Sequence, residues 1–126
     1  MQTGAAEILP LLEHNCYDVY MPDIRHVGGI SGMMKFSAVL EAFDVLISPH
    51  NACSAVAFVA SLHCSSTMKH LTNMEYQAAE SLWISELTNV SFAPENGCFA
   101  LPEKPGLSVE LKVEAFKNTP IKKRFP

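Results

Sequence analysis

Two short apolar runs in this 126-residue chain each stop at a residue with acid–base chemistry. Tyr17-Asp18-Val19-Tyr20-Met21-Pro22 leads into Asp23, and Val45-Leu46-Ile47-Ser48-Pro49 leads into His50, with a Gly28-Gly29 turn and one helix-length segment between them. Strands joined through a helix lie side by side and parallel, and the C-terminal ends of such strands form the reactive rim of an α/β array. A carboxylate and an imidazole delivered to neighbouring strand ends can touch. An Asp that accepts a hydrogen bond from one imidazole nitrogen fixes the tautomer and raises the basicity of the other nitrogen. That arrangement is a general base, and it points to proton transfer.

The same rhythm extends along most of the chain. Residues 5–15 read as a helix with Ile8, Leu9, Leu11 and Leu12 on one face; Pro10 either begins it or sits in its first turn. A second helix is predicted over 31–43, with Met34, Ala38, Val39, Ala42 and Phe43 as its apolar set. Residues 45–48 form a strand covered on both faces, and 53–66 a mostly buried helix. Residues 70–75 form a third strand ending in Glu75. The pattern predicts an α/β fold of three parallel strands with helices packed on one side. Beyond Glu75 the rhythm stops. Residues 77–87 are either helical or irregular, Asn96-Gly97 is a hairpin signal, and a last short helix lies near 113–117.

Composition narrows the function classes. A hydrophobic content of 48% suits one domain with a real core. Nine basic against 13 acidic residues give a net charge of −4, which argues against a nucleic-acid partner; Lys122-Lys123-Arg124 reads as a solvated tail. No segment reaches the roughly 18–20 apolar residues that span a bilayer, so no membrane association is expected. The first residues lack a basic n-region and place Glu7 within the apolar stretch, so no secretory signal is expected. The four cysteines show no C-x-x-C pair and read as reduced thiols, which predicts a cytoplasmic protein. His14, His63 and His70 have no zinc-ligand spacing with them and read as structural.

Taken in order, Met21-Pro22-Asp23-Ile24-Arg25-His26-Val27-Gly28-Gly29-Ile30-Ser31-Gly32, Ser48-Pro49-His50-Asn51, Glu75, Pro94-Glu95-Asn96-Gly97 and Lys104-Pro105-Gly106-Leu107-Ser108-Val109-Glu110-Leu111 resemble the C-terminal part of the mandelate racemase/muconate lactonizing enzyme group of the enolase superfamily. The resemblance covers roughly residues 7 to 115. It implies a (β/α)7β TIM-type barrel, of which this chain carries strands six to eight. It further implies that Asp23 and His50 are the catalytic dyad and that Glu75 hydrogen-bonds the substrate carboxylate as an enediolate forms. Mg²⁺ holds the enediolate in such enzymes. The Ser48-Pro49-His50-Asn51 context is more similar to sugar-acid dehydratases and cycloisomerases than to aryl racemases.

The resemblance also implies what is missing. The family's acidic metal ligands and catalytic lysine lie on earlier strands, and the last ligand falls roughly just before Met1. The chain is therefore expected to be the tail of a longer enzyme, with no metal site of its own and inactive alone. Residues 1–90 would be a partial barrel domain, and 91–126 a hairpin and tail packing on a capping domain. Its partner would be a sugar-acid carboxylate. Open strand edges predict a homo-oligomer, or completion by the missing barrel strands. Plainer readings stand beside these. Asp23 could cap a turn, His50 could be satisfied by backbone, and Glu75 could be a solvated charge. Arg25 and His26 could reach substrate or only solvent. Asn51 could orient substrate, but capping the following helix is favoured.

Overall fold

The computed structural model describes residues 4–52, 54–78, 81–90 and 93–117; the basic tail lies outside them. A 3-10 turn (Ala5–Ile8) runs into α1 (Leu9–Glu13), with Pro10 in the first turn of α1, where its missing N–H costs nothing. Strand β1 (Val19–Tyr20), helix α2 (Gly29–Ala42), strand β2 (Leu46–Ile47) and helix α3 (Ala55–Ser65) follow. Helices α4 (Ser81–Leu87) and α5 (Val113–Lys117) complete the described elements. No helix among the described residues is long and apolar enough to cross a membrane.

The two strands pair in parallel, Val19 opposite Leu46 and Tyr20 opposite Ile47. Prolines make them short. The N–H groups of Leu46, Ser48 and His50 donate to the carbonyls of Asp18, Tyr20 and Pro22, each at 3.0 Å. Pro22 has no N–H to return a bond to β2, so the ladder breaks there and resumes as one isolated parallel bridge, Asp23 with His50.

The third predicted strand is corrected by the same chemistry. On the far edge of β2, Ile47 N–H donates to His70 C=O at 2.9 Å and Thr72 N–H to Ile47 C=O at 3.0 Å. The next donor on that edge would belong to Pro49, which has none. Glu75 N–H reaches Pro49 C=O at 3.2 Å instead. Residues 70–75 therefore contribute a single parallel bridge, Ile47 with Leu71, rather than a strand. Two parallel strands, not three, make up the sheet of the described residues.

Among the described residues, helices cover only one face of this sheet. Ile47 is buried on α2, and Tyr20 stacks on Phe36 with ring centroids 5.8 Å apart. Helix α2 buries Met33, Phe36, Ser37 and Leu40, spaced i, i+3, i+4, i+7. This corrects in part the face expected from the sequence: Ala38, Ala42 and Phe43 are exposed, while Met34 and Val39 are partly buried against the core. The helix is apolar on several sides, so periodicity alone did not select the buried one. Strand β2 is likewise not covered on both faces. Val19, Met21 and Leu46 are 41%, 54% and 38% exposed, and they share the uncovered face by the two-residue alternation of strands.

A second cluster joins α3 to the C-terminal part. Phe58, Tyr76 and Phe99 meet edge-on or tilted, with centroids 4.9 to 5.9 Å apart. The Asn96-Gly97 hairpin forms as expected: Glu95 and Cys98 exchange backbone hydrogen bonds, and both central residues take positive φ.

The entry to α2 depends on glycine. Gly28 and Gly29 have φ of 95° and 70°, and a Cβ on Gly32 would lie 1.7 Å from the Val27 carbonyl oxygen. That contact is with backbone and cannot be relieved by a rotamer. Gly32→Ala is expected to lower the folding free energy by about 2 kcal/mol, measured by urea denaturation. Alanine's better helix propensity would otherwise make the change favourable, so an unchanged midpoint would mean that the turn before α2 relaxes freely.

Candidate functional site

Asp23 and His50 stand side by side because their backbones bridge, and bridged residues of parallel strands project to the same face. Their side chains nevertheless choose other partners. The Asp23 carboxylate, 1% exposed, is chelated by the residue two places on. Arg25 N–H and Nε donate to Oδ1 at 2.9 and 3.0 Å, and Nη2 donates to Oδ2 at 2.5 Å. The backbone bond is an Asx turn. The carbonyl of Asp23 also accepts from His26 and Val27 N–H, so the turn is tightly bound at its start.

His50 faces a different carboxylate, that of Glu75. Its Nδ1 contacts Glu75 Oε2, and the same oxygen accepts the backbone N–H of Asn51 at 2.9 Å. Glu75 is brought there by its own backbone bond to Pro49. Asn51 is buried beside this pair. It does not cap α3: that position belongs to Ser54, whose Oγ accepts Ala57 N–H at 3.5 Å. Below the pair, Ser48 Oγ–H donates to Asn73 Oδ1 at 3.2 Å and ties the two segments together. His26 lies exposed in the turn, and its charge acts on Asp23 from there.

The structure thus gathers His50, Glu75 and the Asn51 backbone into one cluster and Asp23 with Arg25 into a second. The expected Asp23–His50 side-chain contact is replaced by these two pairs. An Asp-x-Arg spacing just past a strand end was the available signal for the first. The pairing of His50 with Glu75 had no local signal, because 25 residues separate the partners.

These residues do not fit a magnesium site. Among the described residues no group of three or more His, Cys, Asp or Glu could hold a metal ion. Asp23 already faces a guanidinium and Glu75 an imidazole, whereas Mg²⁺ wants oxygen ligands in near-octahedral array.

Burial pushes the Asp23 carboxyl upward, but the hydrogen bonds and charge of Arg25, with His26 behind them, outweigh it and hold the group below its ordinary value. A depressed carboxylate stabilises the fold above its unfolded value, about pH 3.9, and that contribution is lost as pH falls through the folded value. Asp23→Asn is therefore expected to flatten the acid limb of the stability–pH curve. Arg25→Gln should cost about 1 kcal/mol at neutral pH, since one partner is solvated. Thermal melts from pH 7 to 2 measure both.

Comparison with known proteins shows the family. Residues 1–115 match the family described as enolase C-terminal domain-like. The D-galactonate dehydratase of Ralstonia pickettii is 31% identical over 120 residues, covering 87% of this chain and 31% of that protein. The D-gluconate dehydratase of Thermoproteus tenax is 31% identical over 121 residues, covering 93% of this chain and 24% of that protein. A mandelate racemase/muconate lactonizing enzyme from Jannaschia sp. CCS1 superposes with a TM-score of 0.82 at 26% identity, over 90% of this chain and 29% of that one. The chain spans a quarter to a third of the length of such relatives. It belongs to the enolase C-terminal domain-like family, within the mandelate racemase group of the enolase superfamily.

Proposed function

We propose that this chain carries the base-bearing part of a sugar-acid dehydratase, the piece of a (β/α)7β barrel that holds strands six and seven and has residues 70–75 in the place of the eighth, in which His50 abstracts the proton α to a carboxylate. The observation that supports it most is the bridge that sets His50 beside Asp23 at the strand ends, with the His50 Nδ1 occupied by Glu75. An imidazole whose Nδ1–H is held by a carboxylate offers its other nitrogen as a base. The uncovered face with Val19 and Leu46 is where a substrate and the remaining barrel strands would lie. Arg25 and His26, exposed at the rim, and the buried Asn51 are the further substrate-side residues. The segment 91–126, of which 93–117 are among the described residues, would pack on the capping domain of the complete enzyme. The relatives named above act on D-galactonate and D-gluconate, which favours a sugar acid over an aryl substrate.

Superfamily members use Mg²⁺, and this chain's described residues do not provide its ligands. Stabilisation of developing negative charge is usually the largest catalytic term. The chain alone is therefore expected to be inactive, and activity needs residues from outside it.

The test is a chimera in which this chain replaces the matching segment of the Ralstonia D-galactonate dehydratase, assayed in D2O. Exchange of the α-proton of an aldonate, followed by NMR, is the expected result, with His50→Asn lowering it at least about a hundredfold, the lower bound for general-base loss. Exchange that survives His50→Asn would remove His50 from the role.

The second reading, an assembly unit without catalysis, draws on the exposed apolar face and on the edge of β1 beside Val19 and Met21, which pairs with no strand among the described residues. It gives a dimer or larger species in sedimentation velocity at micromolar concentration. A compact, cooperatively folding monomer would defeat it.

A further inference from the structure

We infer that residues 70–75 hold a one-residue bulge at Thr72-Asn73 that turns Glu75 onto the open face of the sheet, and that Asn73 is the positioning residue that clasps it. The role in catalysis rests on the reading of that face as the substrate side, whereas the bulge stands on geometry alone.

Three observations carry it. First, the hydrogen bonds along this edge are out of step. Ile47 C=O accepts Thr72 N–H at 3.0 Å, and Pro49 C=O accepts Glu75 N–H at 3.2 Å. Two residues along β2 therefore face three along the neighbouring segment, where a regular parallel ladder advances both sides by two. One residue is extra. Pro49 has no N–H to hold the Thr72 carbonyl in register, so the insertion costs no backbone bond. Second, the side chains break alternation. Leu71 and Met74 lie three apart, an odd separation, yet both pack toward the helices. Leu71 packs on the cluster of Phe36 and Ile47, and Met74 on that of Phe58 and Val59, where its Sδ accepts from Ser65 Oγ of α3 at 3.8 Å. A regular strand puts only even separations on one face and would send Glu75 the way of Leu71, into the helix layer. The extra residue sends it to the opposite face, where its carboxylate meets His50. Third, the bend is clasped. Asn73 Oδ1 accepts two hydroxyls, Thr72 Oγ1–H at 2.8 Å and Ser48 Oγ–H at 3.2 Å. Successive side chains of a regular strand point to opposite faces and do not meet, so the Thr72–Asn73 bond marks the bend itself. The Ser48 bond anchors that bend to β2.

The chemistry required at position 73 follows. An amide or carboxylate oxygen has two lone pairs and can take both hydroxyl protons at once. An apolar side chain there would leave the buried Ser48 hydroxyl without its acceptor and release the bend. In the regular register Met74 N–H, not Glu75 N–H, would reach the Pro49 carbonyl, and Glu75 would leave the face that carries His50. Bulges beside active sites re-aim side chains in this manner.

The experiment is NMR on the full 13C,15N-labelled chain, reading couplings across backbone hydrogen bonds and amide hydrogen exchange. Wild type is expected to couple the Pro49 carbonyl carbon to the Glu75 amide nitrogen, with slow exchange at Thr72 and Glu75 and fast exchange at Met74. Asn73→Ala should speed exchange at Glu75 about tenfold, the equivalent of one net hydrogen bond, while Thr72 is much less affected. Asn73→Asp keeps the doubly accepting oxygen and should restore protection at Glu75. A Pro49–Met74 coupling in wild type would overturn the inference. So would unchanged Glu75 exchange in Asn73→Ala, or an equal rise at Thr72 and Glu75 that Asn73→Asp does not reverse. Should Asn73→Ala lose its dispersed spectrum, Thr72→Val, at an exposed site, removes one of the two donors and is judged by the rise in Glu75 exchange. In an active chimera, α-proton exchange should fall in Asn73→Ala and return in Asn73→Asp; unchanged exchange would strip Asn73 of its positioning role. The couplings need no substrate, so an inactive chimera would defeat the functional reading and leave the bulge standing.

Discussion

The backbone hydrogen bond from His50 N–H to Pro22 C=O, 3.0 Å long, is the contact on which the rest of the site depends. Parallel strands exchange bonds at every second residue, and here the residues due to donate next, Pro22 and Pro49, cannot. The ladder is cut to two residues a strand. A cut ladder could splay, but this one bond holds the strand ends together and presents Asp23 and His50 as neighbours. The missing donors do more than shorten the sheet. Beyond the Asp23–His50 bridge the chain is free of ladder constraints, and it turns at once into the loop that carries Arg25 on one side and Asn51 on the other.

Two paired carboxylates then share one face. Their assignment follows from chain entropy. Arg25 reaches Asp23 from two residues away, and the Asx turn has already ordered the backbone between them, so the chelate costs little further freedom. His50 reaches Glu75 across the sheet, but both are fixed by backbone bonds before their side chains meet. The alternative pairing of Asp23 with His50 would leave a buried carboxylate with one weaker partner and send the guanidinium to water. Burial favours the stronger cation, and the depressed Asp23 carboxyl records that choice.

The asymmetry of the sheet links fold to function. Phe36, Met33 and Ile47 close one face against α2, while Val19, Met21 and Leu46 leave the other open. Apolar side chains on an uncovered face are surface designed for contact. The relatives named above are three to four times longer than this chain. The same openness keeps His50 and Arg25 within reach of a solute.

Much of this was legible in the residues, and for identifiable reasons. Strand, helix and hairpin positions follow from local patterns: the apolar runs before Asp23 and His50, the Ala- and Val-rich stretch of α3, and Asn96-Gly97, whose positive φ suits few other pairs. Pro22 and Pro49 were equally visible, and they already contained the reason that residues 70–75 form a bridge and not a strand. The buried face of α2 was not legible, because Met33, Phe36 and Leu40 compete with Met34, Val39 and Phe43 on hydrophobicity alone, and only packing on Ile47 and Tyr20 chooses. By itself the sequence determined that a carboxylate and an imidazole would end adjacent parallel strands, since that needs only strand length and the chirality of the crossover. Which carboxylate the imidazole touches was decided by the tertiary structure. That choice depends on the distances among Asp23, Arg25, His50 and Glu75 once the backbone is fixed, and a 25-residue separation leaves no trace in the local pattern.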